Sequence, residues 1–186
     1  MNIETEITPN PETLKFKVNK ELTSSGGIQF NSIKDAGANK FTDELFGISG
    51  IKSFFIGKDF ISITKQEEIT WGSVKPKILT FLIEFFNTNE INFDKSIHDN
   101  KNKDNKLKTK DKISEKIKDI IDKQVRPAVA QDGGDIIFEN FENGIVYLTL
   151  RGACVGCPSS TATLKQGIEN LLKHHFPQVK EVHAVN

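Results

Sequence analysis

Apolar positions along the chain follow two rhythms, interrupted by a stretch that has neither. Near the start, Leu14, Phe16 and Val18 alternate with lysines, the two-residue period of a half-buried strand. A short helix is expected over 40–46. Residues 51–56 and 60–64 are two β-prone runs joined by Gly57, Lys58 and Asp59, a composition that suits a tight hairpin. Val74, Ile78, Leu82, Phe85 and Phe86 then recur at helical spacing. Residues 1–88 are therefore expected to form a small α+β domain with helices packed on a sheet.

From residue 87 to 110 the chain is Asn, Lys and Asp with hardly an apolar side chain, too little to offset the entropy of ordering it. Residues 89–110 are expected to be a flexible linker. The unit beyond, 111–186, opens with Ile113, Ile117, Ile120, Ile121 and Val125 on one helical face. That helix should stop between Pro127 and Gln131, where Asp132, Gly133, Gly134 and Asp135 make a turn with glycine free to take the positive φ that ends helices. Strands over 136–141 and 145–150 flank Asn143 and Gly144, the strongest short hairpin signal. A further helix carries Leu164, Ile168, Leu171, Leu172 and Phe176 on one face, with Pro158 in its first turn, where a missing N–H costs nothing. A last strand over 179–185 completes an α-β-β-α-β order. The fold class is α+β, with two small domains joined by a flexible linker.

Composition narrows the function. Lys plus Arg and Asp plus Glu number 25 each, so the formal charge is zero. No basic stripe interleaved with aromatics appears, and a nucleic-acid partner is not expected. No segment approaches the length of a membrane span, so no membrane partner is expected either. The opening residues, with Glu4, Glu6 and Glu12, show neither a signal peptide nor an organelle transit pattern, which points to a cytoplasmic protein. No nucleophile with its base, no paired catalytic carboxylates and no phosphate-binding glycine loop is visible, so the chain is not expected to be an enzyme.

The chain has two cysteines, Cys154 and Cys157, in the order Cys154-Val155-Gly156-Cys157-Pro158. Three positions apart, they cannot form a secreted disulfide framework, and in a reducing compartment such a pair points to redox or metal chemistry. The positive end of the following helix should lower a nearby thiol below its usual pKa and favour thiolate. Four readings compete. The pair could be small buried residues at a strand end. It could be a thioredoxin-like dithiol, although Gly152 and Ala153 precede it where an aromatic is common. Zinc would need two further ligands, and His174 and His175 lie about 25 Å of helical rise away. His98 and His183 are given no role. An iron-sulfur cubane takes four thiolates, so two chains would each supply two.

The run Gly152 through Ser160, with Asp132-Gly133-Gly134-Asp135 and Arg126-Pro127, resembles the C-terminal domain of the NifU-like (Nfu) iron-sulfur scaffold proteins. Thr8-Pro9-Asn10-Pro11, then Leu14-Lys15-Phe16, residues 45–51 and Lys58-Asp59-Phe60 look like the N-terminal domain of the same family. The resemblance implies that Cys154 and Cys157 hold a [4Fe-4S] cluster, one per dimer, in a cluster-bridged homodimer. It further implies an upstream cluster donor and apo iron-sulfur proteins as recipients. The N-terminal domain, which has no cysteine, would serve partner recognition. Arg151, beside the loop, could offset the cluster's negative charge or be a solvated strand end.

Overall fold

The computed structural model describes residues 2–24, 26–36, 39–89, 93, 112–156 and 158–185, and it is α+β as expected, with a separate sheet and core in each unit. The first sheet contains β1 (Ile3–Ile7), β2 (Thr13–Val18), β3 (Ile28–Phe30), β4 (Ile51–Ile56) and β5 (Phe60–Lys65). They lie in the order β1-β2-β5-β4-β3, with every pairing antiparallel. One face carries Leu14, Phe16, Val18, Phe54, Ile56, Ile61 and Ile63. These side chains alternate along their strands, as the pleat requires. Two helices cover that face, α1 (Lys40–Gly47) with Phe41 and Leu45, and α2 (Trp71–Thr88) with the five apolar residues expected from its spacing. Asn39 caps α1 by accepting the N–H of Phe41 on its side-chain oxygen.

Phe41 is the hub of this core. Its ring meets those of Phe54, Phe81, Phe85, Phe86 and Phe93 at centroid separations between 4.9 and 6.2 Å, within the range where tilted and edge-on aromatic pairs attract. Phe93 lies inside the stretch expected to be linker, yet it is fully buried, and its N–H donates to the Leu22 carbonyl at 2.9 Å. Packing of the first unit therefore reaches beyond residue 88. Apart from Asn89 and Phe93, the expected linker lies outside the described residues.

The second unit runs through α3 (Lys112–Ile120), a π turn (Ile121–Val125) and α4 (Arg126–Gln131), then β6 (Gly134–Glu142), β7 (Ile145–Gly152), α5 (Pro158–His175) and β8 (Glu181–Val185). β6 and β7 form the expected hairpin, closed by Asn143 at φ 55° and Gly144 at φ 85°. Both values are left-handed, as a two-residue hairpin turn demands. After α5 crosses back, β8 lies parallel to β7. Ile117, Ile121, Val125 and Val129 bury one side of the long helical stretch against Ile136, Phe138, Val146, Leu148, Ile168, Leu172 and Val182. The opposite face of the first sheet rests on the end of the β6–β7 hairpin, next to the cysteine loop.

Candidate functional site

Cys154 follows the end of β7 in a short turn in which the Val155 N–H donates to the Gly152 carbonyl at 3.1 Å. The turn is pinned on two sides within the second unit. Ala153 N–H donates to the Gly133 carbonyl at 3.1 Å, and Thr161 of α5 donates its hydroxyl to the Cys154 carbonyl at 3.0 Å. The side chain turns inward. Cys154 is only 8% exposed and belongs to the second core, beside Val129 and over Gly134. A Cβ at residue 134 would lie 2.4 Å from the Cys154 sulfur, so only glycine leaves room for it.

This corrects the expectation that the following helix acidifies the thiol. Cys154 is in a loop by backbone but in the core by side chain, and its thiol is not acidified. Burial pushes its pKa up to about 12, and the nearby charges of Asp132 and Asp135 push in the same direction. An uncharged thiol is the form that costs least to bury among apolar groups. The dipole of the helix that starts four residues downstream is outweighed, because its effect falls off within about a turn of the helix end. Cys157, the other expected ligand, lies outside the described residues.

The Asp132-Gly133-Gly134-Asp135 run is largely scaffolding. Asp132 closes α4, its N–H donating to the Ala128 carbonyl at 3.4 Å while the N–H of Gly133 donates to that of Ala130 at 3.1 Å. Asp135 is buried and takes a two-pronged ion pair from Arg126, at 2.8 and 3.0 Å, while Asp122 lies 3.4 Å from the same guanidinium. Hydrogen bonding to Asp135 raises the Arg126 pKa. The Arg126-Pro127 pair and the acidic turn, nine residues apart, are thus two halves of one clamp between helix and sheet. Arg151 is no solvated strand end. It is half-buried, which lowers its pKa, and it donates to the Gly27 carbonyl of the first unit at 2.9 Å.

Among the described residues, the histidines stand apart from the loop, and His98 lies outside them. His174 and His175 occupy the far end of α5, and His183 pairs with Glu181 at 2.8 Å on β8. Among the described residues, no group of three or more His, Cys, Asp or Glu is placed to hold a metal ion.

The residues missed from sequence come from the first unit. Asn10 donates its amide to the Val155 carbonyl at 3.0 Å, and Gln29 accepts the Gly152 N–H at 2.9 Å. Ser62 donates to the Gly133 carbonyl at 2.5 Å, and Lys15 to the Gln131 carbonyl at 3.0 Å. The only sequence cue was Pro9-Asn10-Pro11, whose rigid turn presents Asn10. A cavity of about 550 Å³ lies along the same seam, lined by Phe60, Arg126 and Asp135 among others.

Two family models divide the chain where the fold does. Residues 3–89 match the scaffold protein Nfu/NifU N-terminal family, and residues 117–183 match the NifU-like domain family. The whole chain is 38% identical over 186 residues to the human protein named NFU1 iron-sulfur cluster scaffold homolog, mitochondrial, covering 72% of its length. It is 37% identical over 188 residues to the protein of the same name from Drosophila willistoni. The chain spans 64% of the Drosophila willistoni relative and 62% of that from Drosophila virilis. The solution structure of a NifU-like protein from Saccharomyces cerevisiae is similar at 28% identity and a TM-score of 0.45, over 49% of this chain and 82% of that one. The chain belongs to the NifU-like Nfu family. The relatives are named mitochondrial, whereas the cytoplasmic expectation came from the opening residues alone. Among the described residues no helix is long and apolar enough to cross a membrane.

Proposed function

We propose that this protein is a carrier of iron-sulfur clusters, without turnover chemistry of its own, that binds a [4Fe-4S] cluster through Cys154 and Cys157 and passes it to apo iron-sulfur proteins. The observation that carries this reading is the pairing of both Nfu-type domains, in order, with one two-cysteine loop in the second. The names of the relatives, as iron-sulfur cluster scaffold homologs, point the same way. A cubane takes four thiolates and the chain has two, so the cluster would be shared by a pair of chains.

The cluster is cargo, and delivery is ligand exchange. A thiolate of the recipient forms a bond to an exposed iron, the bond from that iron to Cys154 or Cys157 breaks, and the freed thiolate takes up a proton. No electron is transferred in this step. Loading the cluster requires Cys154 to turn out from over Gly134 and lose its proton, so metal binding must offset both the packing and the raised pKa. A cluster held at such cost by few ligands suits transfer better than permanent residence. Dithiol exchange, the other class considered, fits Cys154 less well, because a thiol held protonated is a poor attacking group.

The test is anaerobic loading with iron and sulfide, followed by native mass spectrometry and assay of both elements on one sample. About four irons per two chains, with the loaded form dimeric by mass action, is expected. Cys154→Ser and Cys157→Ser should each abolish the stable cluster. Full iron and sulfide content in either variant would refute the ligand assignment, and zinc in place of iron would favour a structural metal.

A further inference from the structure

The outer face of the first sheet carries residues that a solvated face does not explain. Phe54 and Ile56 point to the helices, so strand alternation turns Phe55 to the other side. Ser62 on β5 and Lys15 on β2 share that side, as does Phe60. Phe55 and Ser62 are each 1% exposed, yet Phe55 belongs to neither core. Its ring lies against the backbone of Gly27 in its own unit and of Gly152 in the second. The second unit completes the burial of this face, since Ser62 bonds to Gly133 and Lys15 to Gln131.

Fit across the seam is close. A Cβ at Gly133 would come within 2.7 Å of the Ser62 hydroxyl, and one at Gly152 within 3.1 Å of the Phe55 ring and 2.6 Å of the Gly133 carbonyl. Gly152 also has φ +63°, which disfavours any side chain there. Most telling is where the polar contacts fall. Gln29 holds Gly152 and Asn10 holds Val155, so two side chains of the first unit grip the loop immediately before and after the Ala153-Cys154 pair.

We propose that the outer face of the N-terminal sheet is a docking surface for the cysteine loop of its own chain, and that the docked form withholds Cys154 from a second chain until the domains part. The withholding rests on the shared-cluster reading above; the docking does not. Two loops that share one cluster must approach to within the span of its ligands, and a sheet gripping one loop on both sides of its cysteine occupies that approach. The crossing contacts are mostly neutral hydrogen bonds around one aromatic ring, each modest in net terms, which suits a closure that opens and re-forms. Docking then lowers the apparent tendency to pair in proportion to the closed fraction. On this view the cysteine-free domain governs when the cluster site is available.

The experiment uses the full-length apo chain and compares it with Ser62→Arg, whose longer side chain would point to solvent on an undocked sheet but collides with Gly133 on a docked one. A milder Asn10→Ala/Gln29→Ala double variant removes only the two grips. Hydrogen exchange of the amides over 152–155 should speed up by about tenfold or more in both variants, while those of Ile136 and Leu148 stay protected. Small-angle scattering should show a larger radius of gyration, and the variants should load iron and sulfide faster into the dimer. Equal exchange and scattering in all three proteins would overturn the docking, and the double variant decides it if Ser62→Arg does not fold. Opened variants that load at the wild-type rate would overturn the withholding. If no form takes up a cluster, the functional reading fails, while exchange and scattering still decide the docking.

Discussion

The N-terminal core is built around phenylalanine rings, and the C-terminal core around isoleucine, valine and leucine with a cysteine at its edge. Eleven of the fourteen phenylalanines precede residue 94, and five of them surround Phe41. Large rings interlock with few alternative arrangements, so this core makes a stiff frame. The C-terminal core places Cys154 over a glycine, where the loop holds the sulfur by small contacts that an outward turn can break. The contrast assigns rigidity to the domain without cysteine and adjustability to the domain that has it.

The most forceful way to break this comparison is Phe41→Ala. Removing a fully buried ring from the hub should cost about 3–5 kcal/mol. In a urea titration the loss should fall on the N-terminal transition and leave the C-terminal one in place; a common shift of both would mean that the cores are not separate.

A somewhat smaller effect comes from pH. The folded pKa of Cys154, about 12, stands above its ordinary value of 9.0, so the folded chain binds the proton more tightly than the unfolded chain does. This contribution to stability is complete below pH 9 and is lost as pH rises towards 12, at about 1.4 kcal/mol per pH unit. Between pH 9 and 11 the C-terminal transition should therefore lose about 2 kcal/mol from this group, the slope being only half developed at pH 9. Cys154→Ser should remove that slope, and an unchanged slope in the variant would show that the thiol is not buried in solution.

Asp135→Asn should cost the C-terminal domain about 1.5–3 kcal/mol, the range for a hydrogen bond to a charged group, by weakening the clamp on Arg126. Asp122→Asn, at the longer 3.4 Å contact, should cost less. Comparing their urea midpoints measures how much of the loop's support is electrostatic. Smallest is Asn143→Ala at φ 55°, expected to cost about 1–2 kcal/mol for a left-handed backbone without shifting the Cys154 slope. A change in that slope would mean that the hairpin tip and the cysteine loop are coupled.

Much of this was legible in sequence because it is local. The Asn143-Gly144 hairpin, the helix faces and the stop at Gln131 each declare themselves within a few residues. β1 did not, since its only apolar residues are Ile3 and Ile7, the latter exposed, and β3 has only three residues. The site was half legible. Its cysteines announce metal or redox chemistry, but the burial of Cys154 depends on Gly134, twenty residues upstream in sequence, and on strand pairing that brings the two together. Docking was not legible at all, because Lys15, Lys17 and Ser62 on alternate strand positions resemble a solvated face. Nothing local says that Phe55 is covered by a second domain.

The π turn at Ile121–Val125 acts as a phase corrector. The buried apolar side chains of this stretch, with half-buried Ile113 before them, stand four apart at Ile113, Ile117, Ile121, Val125 and Val129. A regular helix advances about 100° per residue, so sixteen residues at that stride would wander about 160° around the axis, too far for one apolar stripe. The wide turn, closed by the Arg126 N–H on the Ile121 carbonyl, takes up one extra residue and trims the drift to about 60°. Arg126 is the first residue after the correction. Its bearing on Asp135 is thus set by the same irregularity, and deleting one residue from the turn would swing its guanidinium by about 100°, off the clamp that steadies the cysteine loop.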